Sequence, residues 1–373
     1  MGRHRLDRGK VAFTKSVQDL VTILSNASVK DRSRKLLVNT AVVTIRAASS
    51  RTSIHGARKR MRTGKSRRQI ARVLEGLDLN KVADKVNLIF REEAKKRFGG
   101  QILSIAIDIH AIPYHGNPHK DENELGRSKQ KDGTTRFHMI ATAYVVGKKK
   151  KRFTLAVMFV PRCTTMRQVV QTLLSLLHRC HIQVDQVLLD KGFYSIEVVR
   201  LLMRLNIGFI IPMRGKRLEK KKGSYQTTYR MKSMINGKPT EQIVNAVSVI
   251  KYNRGKRFKH HGAMQLCFIT YKVRLGLREI AERYRKRFGI ESSYKLNKAI
   301  RPRTSSRNPA IRLFLFGASA LIQNIWVDVK QQFCKWLPRA DPRMITLHDF
   351  ADILLSWVRK QYGEITEICM AVS

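Results

Sequence analysis

The sequence predicts an α/β fold: a core of mixed strands and helices, interrupted by a β-rich insertion and flanked by helical segments. Three observations predict it. Residues 1–98 carry apolar residues at helical spacing, residues 102–211 alternate short β-branched runs with amphipathic helices, and helical periodicity returns at Leu277. At 373 residues the chain can bury a large core and is long enough for more than one domain.

The elements follow in order. Val17 to Leu24 and Leu36 to Ile45 read as helices. Arg51 to Arg68 is an acid-free stretch with eight Lys and Arg, and it runs into two short helices, Ser66 to Glu75 and Asn80 to Phe90, around Gly76. Their shared apolar set is Ile70, Val73, Leu74, Leu77, Val82, Val86 and Ile89, which is compatible with a helix-turn-helix and equally with a helix pair that never meets DNA. Strands are expected at Ile102 to Ile107, Phe137 to Val146 and Phe153 to Val160, the last two joined by a Gly147 and lysine turn. A helix from Met166 to Cys180, a strand from Val184 to Leu189, a helix from Ser195 to Leu205 and a strand from Ile207 to Ile211 follow. Three strands, helix, strand, helix, strand is the chain order of a ribonuclease-H-like core.

Arg214 to about Val273 then breaks the pattern. Its opening, Arg214 to Lys232, holds eight basic residues and one acid, and we read the whole as an inserted β-rich subdomain. One helix is expected from Leu277 to about Ile300, another from Ala310, and a last one after Leu347. The domain reading is therefore 1–98, a helical N-terminal DNA-binding region; 99–213, the first part of the core; 214–276, the basic insertion; 277–330, the second part of the core; and 331–373, a C-terminal helical region.

Charge narrows the function. There are 74 Lys and Arg against 27 Asp and Glu, a formal +47, and the first 100 residues already hold 25 basic against 8 acidic. An excess spread along the whole chain fits a polyanion partner, because each cation meeting a phosphate releases counterions. Charge alone does not separate a DNA enzyme from an RNA-packaging protein. Cys163, Cys180, Cys267, Cys334 and Cys369 are odd in number and widely spaced, which points to a reducing compartment and against a zinc ribbon. The basic stretch Met1 to Lys15 lacks an apolar run of signal length, and Ile311 to Val327 is interrupted by Gln323 and Asn324, so a buried helix is expected there rather than a membrane span. The expected location is the cytoplasm, with the nucleoid.

Two aspartates stand out. Asp108 ends Ser104-Ile-Ala-Ile-Asp and Asp190 ends Val187-Leu-Leu-Asp, so both are expected at the carboxyl ends of buried strands, where open α/β sheets place ligands. A carboxylate there needs a cation or a donor, although a single such aspartate is often only a helix cap. Further on, Tyr284, Arg287, Glu291 and Lys298 fall at offsets of three, seven and fourteen residues, which one continuous helix would place within about 60° of each other. Such a stripe is commonly a solvated salt-bridged face. Following two strand-end aspartates, it also supplies a third carboxylate. Three carboxylates in a basic protein make sense as ligands of Mg²⁺ or Mn²⁺, and a pair of ions about 4 Å apart suits in-line phosphoryl transfer. His110, His115, His119 and His138 are read as polar surface, His260 and His261 as phosphate or solvent contacts, and Glu122 and Glu124 as lying beyond a flexible loop, not as ligands.

The spacing Tyr284-x2-Arg287-x3-Glu291-x6-Lys298 resembles the Y-R-E-K signature of DDE insertion-sequence transposases of the insertion-sequence-four superfamily. Ile107-Asp-Ile-His-Ala-Ile-Pro-Tyr-His-Gly116 resembles the first-Asp block, Leu189-Asp-Lys-Gly-Phe-Tyr194 the second, and the segment from Arg307-Asn-Pro to Gln323-Asn-Ile-Trp326 the closing core helix. The resemblance spans roughly residues 100 to 330. It implies a ribonuclease-H-like fold, Asp108, Asp190 and Glu291 as catalytic and metal-binding triad for two Mg²⁺ ions, and a β-strand insertion before the glutamate helix. It also implies that Tyr284, Arg287 and Lys298 bind the transposon-end backbone. The partner is then double-stranded DNA, as terminal inverted repeats and as target, with a homodimer in the synaptic complex and no membrane. Arg58, Lys59, Arg60, Lys65, Arg67 and Arg68 are the expected N-terminal DNA contacts. Two departures stand: His110 replaces a threonine common in relatives, and no tryptophan lies in the insertion, leaving Tyr225, Tyr229, Tyr252 or Phe258 as stacking candidates. The rival readings are a nuclease or resolvase on the same fold, and a catalytically idle DNA- or RNA-binding protein.

Overall fold

The computed structural model describes residues 2–28, 33–62, 65–147, 153–214, 223–252, 263–336 and 345–363. In chain order the helices α1 (Gly2–Leu24), α2 (Arg34–Ser49), α3 (Ile54–Lys59), α4 (Arg67–Glu75) and α5 (Leu79–Phe98) lead into strands β1 (Ile102–Pro113), β2 (Gly126–Lys131), β3 (Thr134–Val145) and β4 (Thr154–Val160). Then come α6 (Met166–His178), β5 (Gln183–Leu189), α7 (Ile196–Arg204) and β6 (Gly208–Pro212). The insertion gives β7 (Tyr225–Ile235), β8 (Lys238–Tyr252) and β9 (Ala263–Tyr271), and the chain closes with α8 (Leu277–Arg285), α9 (Phe288–Ile300), α10 (Pro309–Trp336) and α11 (Leu347–Tyr362). The lysine turn at 148–152, Phe258, and the pair His260 and His261 lie outside the described residues.

The chain divides into two compact units. Unit 1 holds residues 1–92, 111–140 and 293–373; unit 2 holds 93–110 and 141–292. In unit 2 the strand order runs β3, β1, β5, β6, β9, β8, β7. Ile105, Ala106, Ile107, Val187, Leu188 and Leu189 are all fully buried, as expected of parallel strands covered on both faces. The capping boxes at Thr165 and the N-cap at Ser195 start α6 and α7 where the apolar period begins.

The insertion is β-rich and joins the central sheet. β9 pairs antiparallel with β6, from Phe209↔Tyr271 to Pro212↔Phe268, so β7 to β9 extend the central sheet of unit 2. The reason is the open edge of β6, whose unpaired amides and carbonyls β9 satisfies. One difference from expectation is the loop after Gly116. It contains a 3₁₀ turn at Glu122–Glu124 and β2, which forms a hairpin with β3. The turn is Asp132-Gly133 with φ of 50° and 77°, the left-handed pair such a hairpin requires.

Unit 1 packs α1 and α2 against α10 and α11, so the first helices share a core with the last. Ile70, Val73, Leu74, Leu77, Val82, Val86 and Ile89 are buried as a set. Close approach of α5 to α10 depends on Gly317, where a Cβ would lie 2.9 Å from Val86. Pro309–Gln332 is long and apolar enough to cross a membrane by composition, and its most apolar window is wholly buried inside the protein, as a core helix is.

His138 is not the surface residue expected from sequence. It is fully buried on β3, edge-on to Tyr114 at 4.8 Å between ring centroids. Burial, and then the charge of Arg312, lower its pKa from 6.5 to about 3. A folded-state pKa below the unfolded value stabilises the protein above pH 6.5 and loses that contribution as pH falls. Thermal stability is therefore expected to drop between roughly pH 6.5 and 4.5 by about 2–3 kcal/mol from this group. His138→Phe, which keeps a ring but cannot take a proton, should flatten that part of the profile; an unchanged acid limb would contradict the account.

Candidate active site

The two aspartates meet because β1 and β5 run parallel in register. Their last pair is Ile107↔Leu189, so Asp108 and Asp190 each follow it by one residue, at the same level on neighbouring strands. Only Asp190 ends its strand. β1 continues to Pro113 beside β3, and Asp108 lies within it at the point where β1 outruns β5. Asp108 has a side chain 16% exposed, with Oδ1 accepting from the Ile109 amide at 2.9 Å. Asp190, 46% exposed, opens the 3₁₀ turn Lys191–Phe193. That turn is pinned by Arg214, which donates from Nε to the Lys191 carbonyl at 3.1 Å and from Nη2 to that of Gly192 at 3.0 Å.

The third carboxylate arrives by a route that sequence did not show. The expected single helix from Leu277 to Ile300 is broken at Lys286–Arg287 into α8 and α9. There the bonds tighten to three-residue spacing, Arg287 N to Tyr284 O at 2.9 Å and Ile290 N to Arg287 O at 2.8 Å. Arg283 ties α8 to the strands by donating from Nε to Gln186 at 3.1 Å and from Nη2 to Ser104 at 2.7 Å. Ser104 in turn donates to Asp185 at 3.0 Å. α9 then places Glu291, half-exposed, in its first turn.

Arg287 is the centre of this arrangement. Its side chain is only 5% exposed and reaches all three carboxylates: Nη1 to Asp108 Oδ2 at 3.3 Å, Nη2 to Asp190 Oδ1 at 3.6 Å and Nη2 to Glu291 Oε1 at 3.0 Å. Burial opposes its charge, but Tyr284, Asp108, Asp190 and Glu291 outweigh that and hold its pKa above the usual arginine value. Asp108 shows the opposite balance. Burial raises its carboxyl to about 6 despite Arg287 and the Ile109 amide, a carboxylate short of positive charge.

The other expected residues divide. Tyr284 is buried against Phe268, centroids 5.0 Å apart, with the Arg287 guanidinium 5.5 Å from its ring. Burial pushes its hydroxyl up to about 12. Its ring packs against the Arg287 guanidinium and helps to orient it. Lys298 is exposed, two turns beyond Glu291 on α9. Lys59, Arg60, Arg67 and Arg68 are exposed, whereas Arg58 is spent on its own loop, donating to the carbonyls of Lys65 at 2.7 Å and Met61 at 3.0 Å. Tyr225, Tyr229 and Tyr252 are at least partly exposed on β7 and β8.

Among the described residues no three His, Cys, Asp or Glu side chains stand close enough to share one ion. The guanidinium occupies the space between the three carboxylates.

A family profile described as "Transposase DDE domain" matches residues 99–325, more than half of the chain. A solved piggyBac transposase, imaged by cryo-EM as a synaptic complex with hairpin DNA, superposes with a TM-score of 0.57. The match is 12% identical and covers 94% of this chain and 81% of that one, so it bears on the fold. No curated protein matches. The mixed α/β fold, with its central sheet and flanking helices, is that of a transposase catalytic core, and the chain belongs to the DDE-domain transposase family.

Proposed function

We propose that the protein is a DNA transposase of the insertion-sequence-four type that binds transposon ends, cleaves them and joins the 3′ ends to target DNA. Tyr284, Arg287, Glu291 and Lys298 are its Y-R-E-K residues. The observation that carries the reading is the gathering of Asp108, Asp190 and Glu291 on one guanidinium at the end of two buried parallel strands. The formal charge of +47 supports a DNA partner. The piggyBac transposase structure is a synaptic complex with hairpin DNA, and we carry DNA as a partner over to this chain; a synaptic homodimer belongs to the same proposal and rests on the sequence resemblance alone.

DDE transposases generally use divalent metal ions, and we assign two Mg²⁺, with Mn²⁺ as a substitute. The donor set fits: three carboxylates offer only hard oxygen ligands, and the raised Asp108 carboxyl marks a site that wants more positive charge. Asp108, Asp190 and Glu291 would hold the ions. Bound there, they supply activation of the attacking hydroxyl and neutralise charge on the leaving oxygen. The chain supplies position. The Ile109 amide fixes one oxygen of Asp108, Arg214 fixes the loop after Asp190, and Arg283 fixes α8 on the strands. Exposed Lys298, Lys59, Arg60, Arg67 and Arg68, with Lys65 beside them, grip phosphates.

The test is cleavage of a duplex carrying terminal inverted repeats, sought in the DNA on either side of the reading frame. Mg²⁺ or Mn²⁺ should support cleavage, while Ca²⁺, with looser coordination, should allow assembly without chemistry. Full-rate cleavage in excess chelator would overturn the metal assignment, and hydrolysis without joining would make the protein a nuclease.

A further inference from the structure

Unit 1 contains a cavity of about 350 Å³ that the reading above leaves unused. Its walls include Tyr114, His115, Thr304, Ser305, Arg307 and Arg312, and no acidic side chain lines it. We propose that this cavity binds phosphate and takes one backbone phosphate of a DNA strand, with Arg307 and Arg312 as cationic walls and the Thr304 and Ser305 hydroxyls as neutral donors.

Arg312 is already in place for such a role. It is 8% exposed, its Nε donates to the Ser306 carbonyl at 2.7 Å, and its guanidinium lies 4.7 Å from the Tyr114 ring centre. Beside it, Arg301 has a buried Nη1 with no hydrogen-bond partner. Burial, and then the charge of Arg312, lower the Arg301 pKa to about 10, so Arg301 stays charged at neutral pH; burial also lowers the Arg312 pKa. Among the described residues neither they nor Arg307 form an ion pair. Arg312 is a buried cation with half-buried Arg301 near it, an arrangement that is costly without an anion, and a phosphate entering the cavity offsets that cost. The amino end of α10, which starts at Pro309, adds its positive dipole end. A phosphodiester is the anion that a chain of charge +47 meets most, and this choice of source rests on the DNA reading above.

Two titrations of the full chain test the proposal: inorganic phosphate followed by ³¹P NMR, and duplex DNA binding as a function of salt. Arg312→Gln removes the buried wall. Arg307→Gln, at an exposed position, keeps the test valid if the first variant unfolds. Phosphate affinity should fall about tenfold in either variant, and the salt slope of DNA binding should fall by about one unit. Lost phosphate binding with an unchanged slope overturns the DNA source, leaving a free-anion site. No phosphate binding by wild type, or no change in either variant, overturns the cavity assignment while metal-dependent cleavage stands. Wild type that binds no duplex at all overturns the DNA reading itself, and with it the phosphodiester source.

Discussion

Asp108→Ala is expected to reduce cleavage of a cognate end by at least about a thousandfold. A metal-centred site contributes several kcal/mol of transition-state charge stabilisation, and each ~1.4 kcal/mol is a factor of ten in rate. Asp108 is the most buried of the three carboxylates and stands level with Asp190 across the β1–β5 pair. Removing it leaves Asp190 and Glu291 to hold an ion with the inner ligand missing. Asp190→Ala and Glu291→Ala should behave alike. DNA binding should persist in all three, because the grip on phosphate is spread over many exposed cations. Cleavage and binding are measured side by side, and near-normal cleavage by any one variant removes that residue from the triad.

The second large effect concerns Arg287→Ala. This guanidinium pairs with all three carboxylates, at 3.3, 3.6 and 3.0 Å. Taking it away leaves Asp108 buried without its partner, and breaking a buried pair from one side costs about 3–5 kcal/mol. Asp190 and Glu291 are half-exposed and Asp108 can take up a proton, so we expect roughly 2–4 kcal/mol. Added Mn²⁺ should then stabilise the variant more than the wild type, because the ions replace the missing charge where Arg287 otherwise competes with them. Arg287→Lys, with one point charge in place of a fork, should lie between. Melting curves with and without Mn²⁺ decide it. A variant as stable as wild type without metal would leave Arg287 as a DNA contact only, and a loss that metal does not relieve would make it a packing residue.

Much of this site was legible in the sequence because buried parallel strands announce themselves. The runs ending at Asp108 and Asp190 are unbroken, so both aspartates could be placed at strand ends, while the pairing that brings them level came from the structure. What stayed hidden depends on contacts distant in the chain. That β1 passes Asp108 is decided by its neighbour β3, and that the insertion joins the sheet is decided by the open edge of β6. The break at Lys286–Arg287 has a local hint in Gly289, a poor helix former, and it coincides with the residue that pairs with the three carboxylates. His138 reads as polar surface because its polar ring atoms hide how much of the ring is buried. Arg214 and Arg283 were lost among 74 basic residues, and only their carbonyl, amide and hydroxyl acceptors single them out. The Asp132-Gly133 hairpin was readable, since that dipeptide between two strand-forming runs is a strong turn signal.

The most direct test of the central claim is strand joining. A pre-cleaved duplex with a free 3′-hydroxyl at the transposon end is mixed with target DNA, Mg²⁺ and the full chain, and the covalent product is measured. The account predicts joined product from wild type and none from Glu291→Gln, which keeps the side-chain shape but not the charge. Joining by Glu291→Gln at the wild-type rate, or nicked target without joining by the wild type, would contradict it.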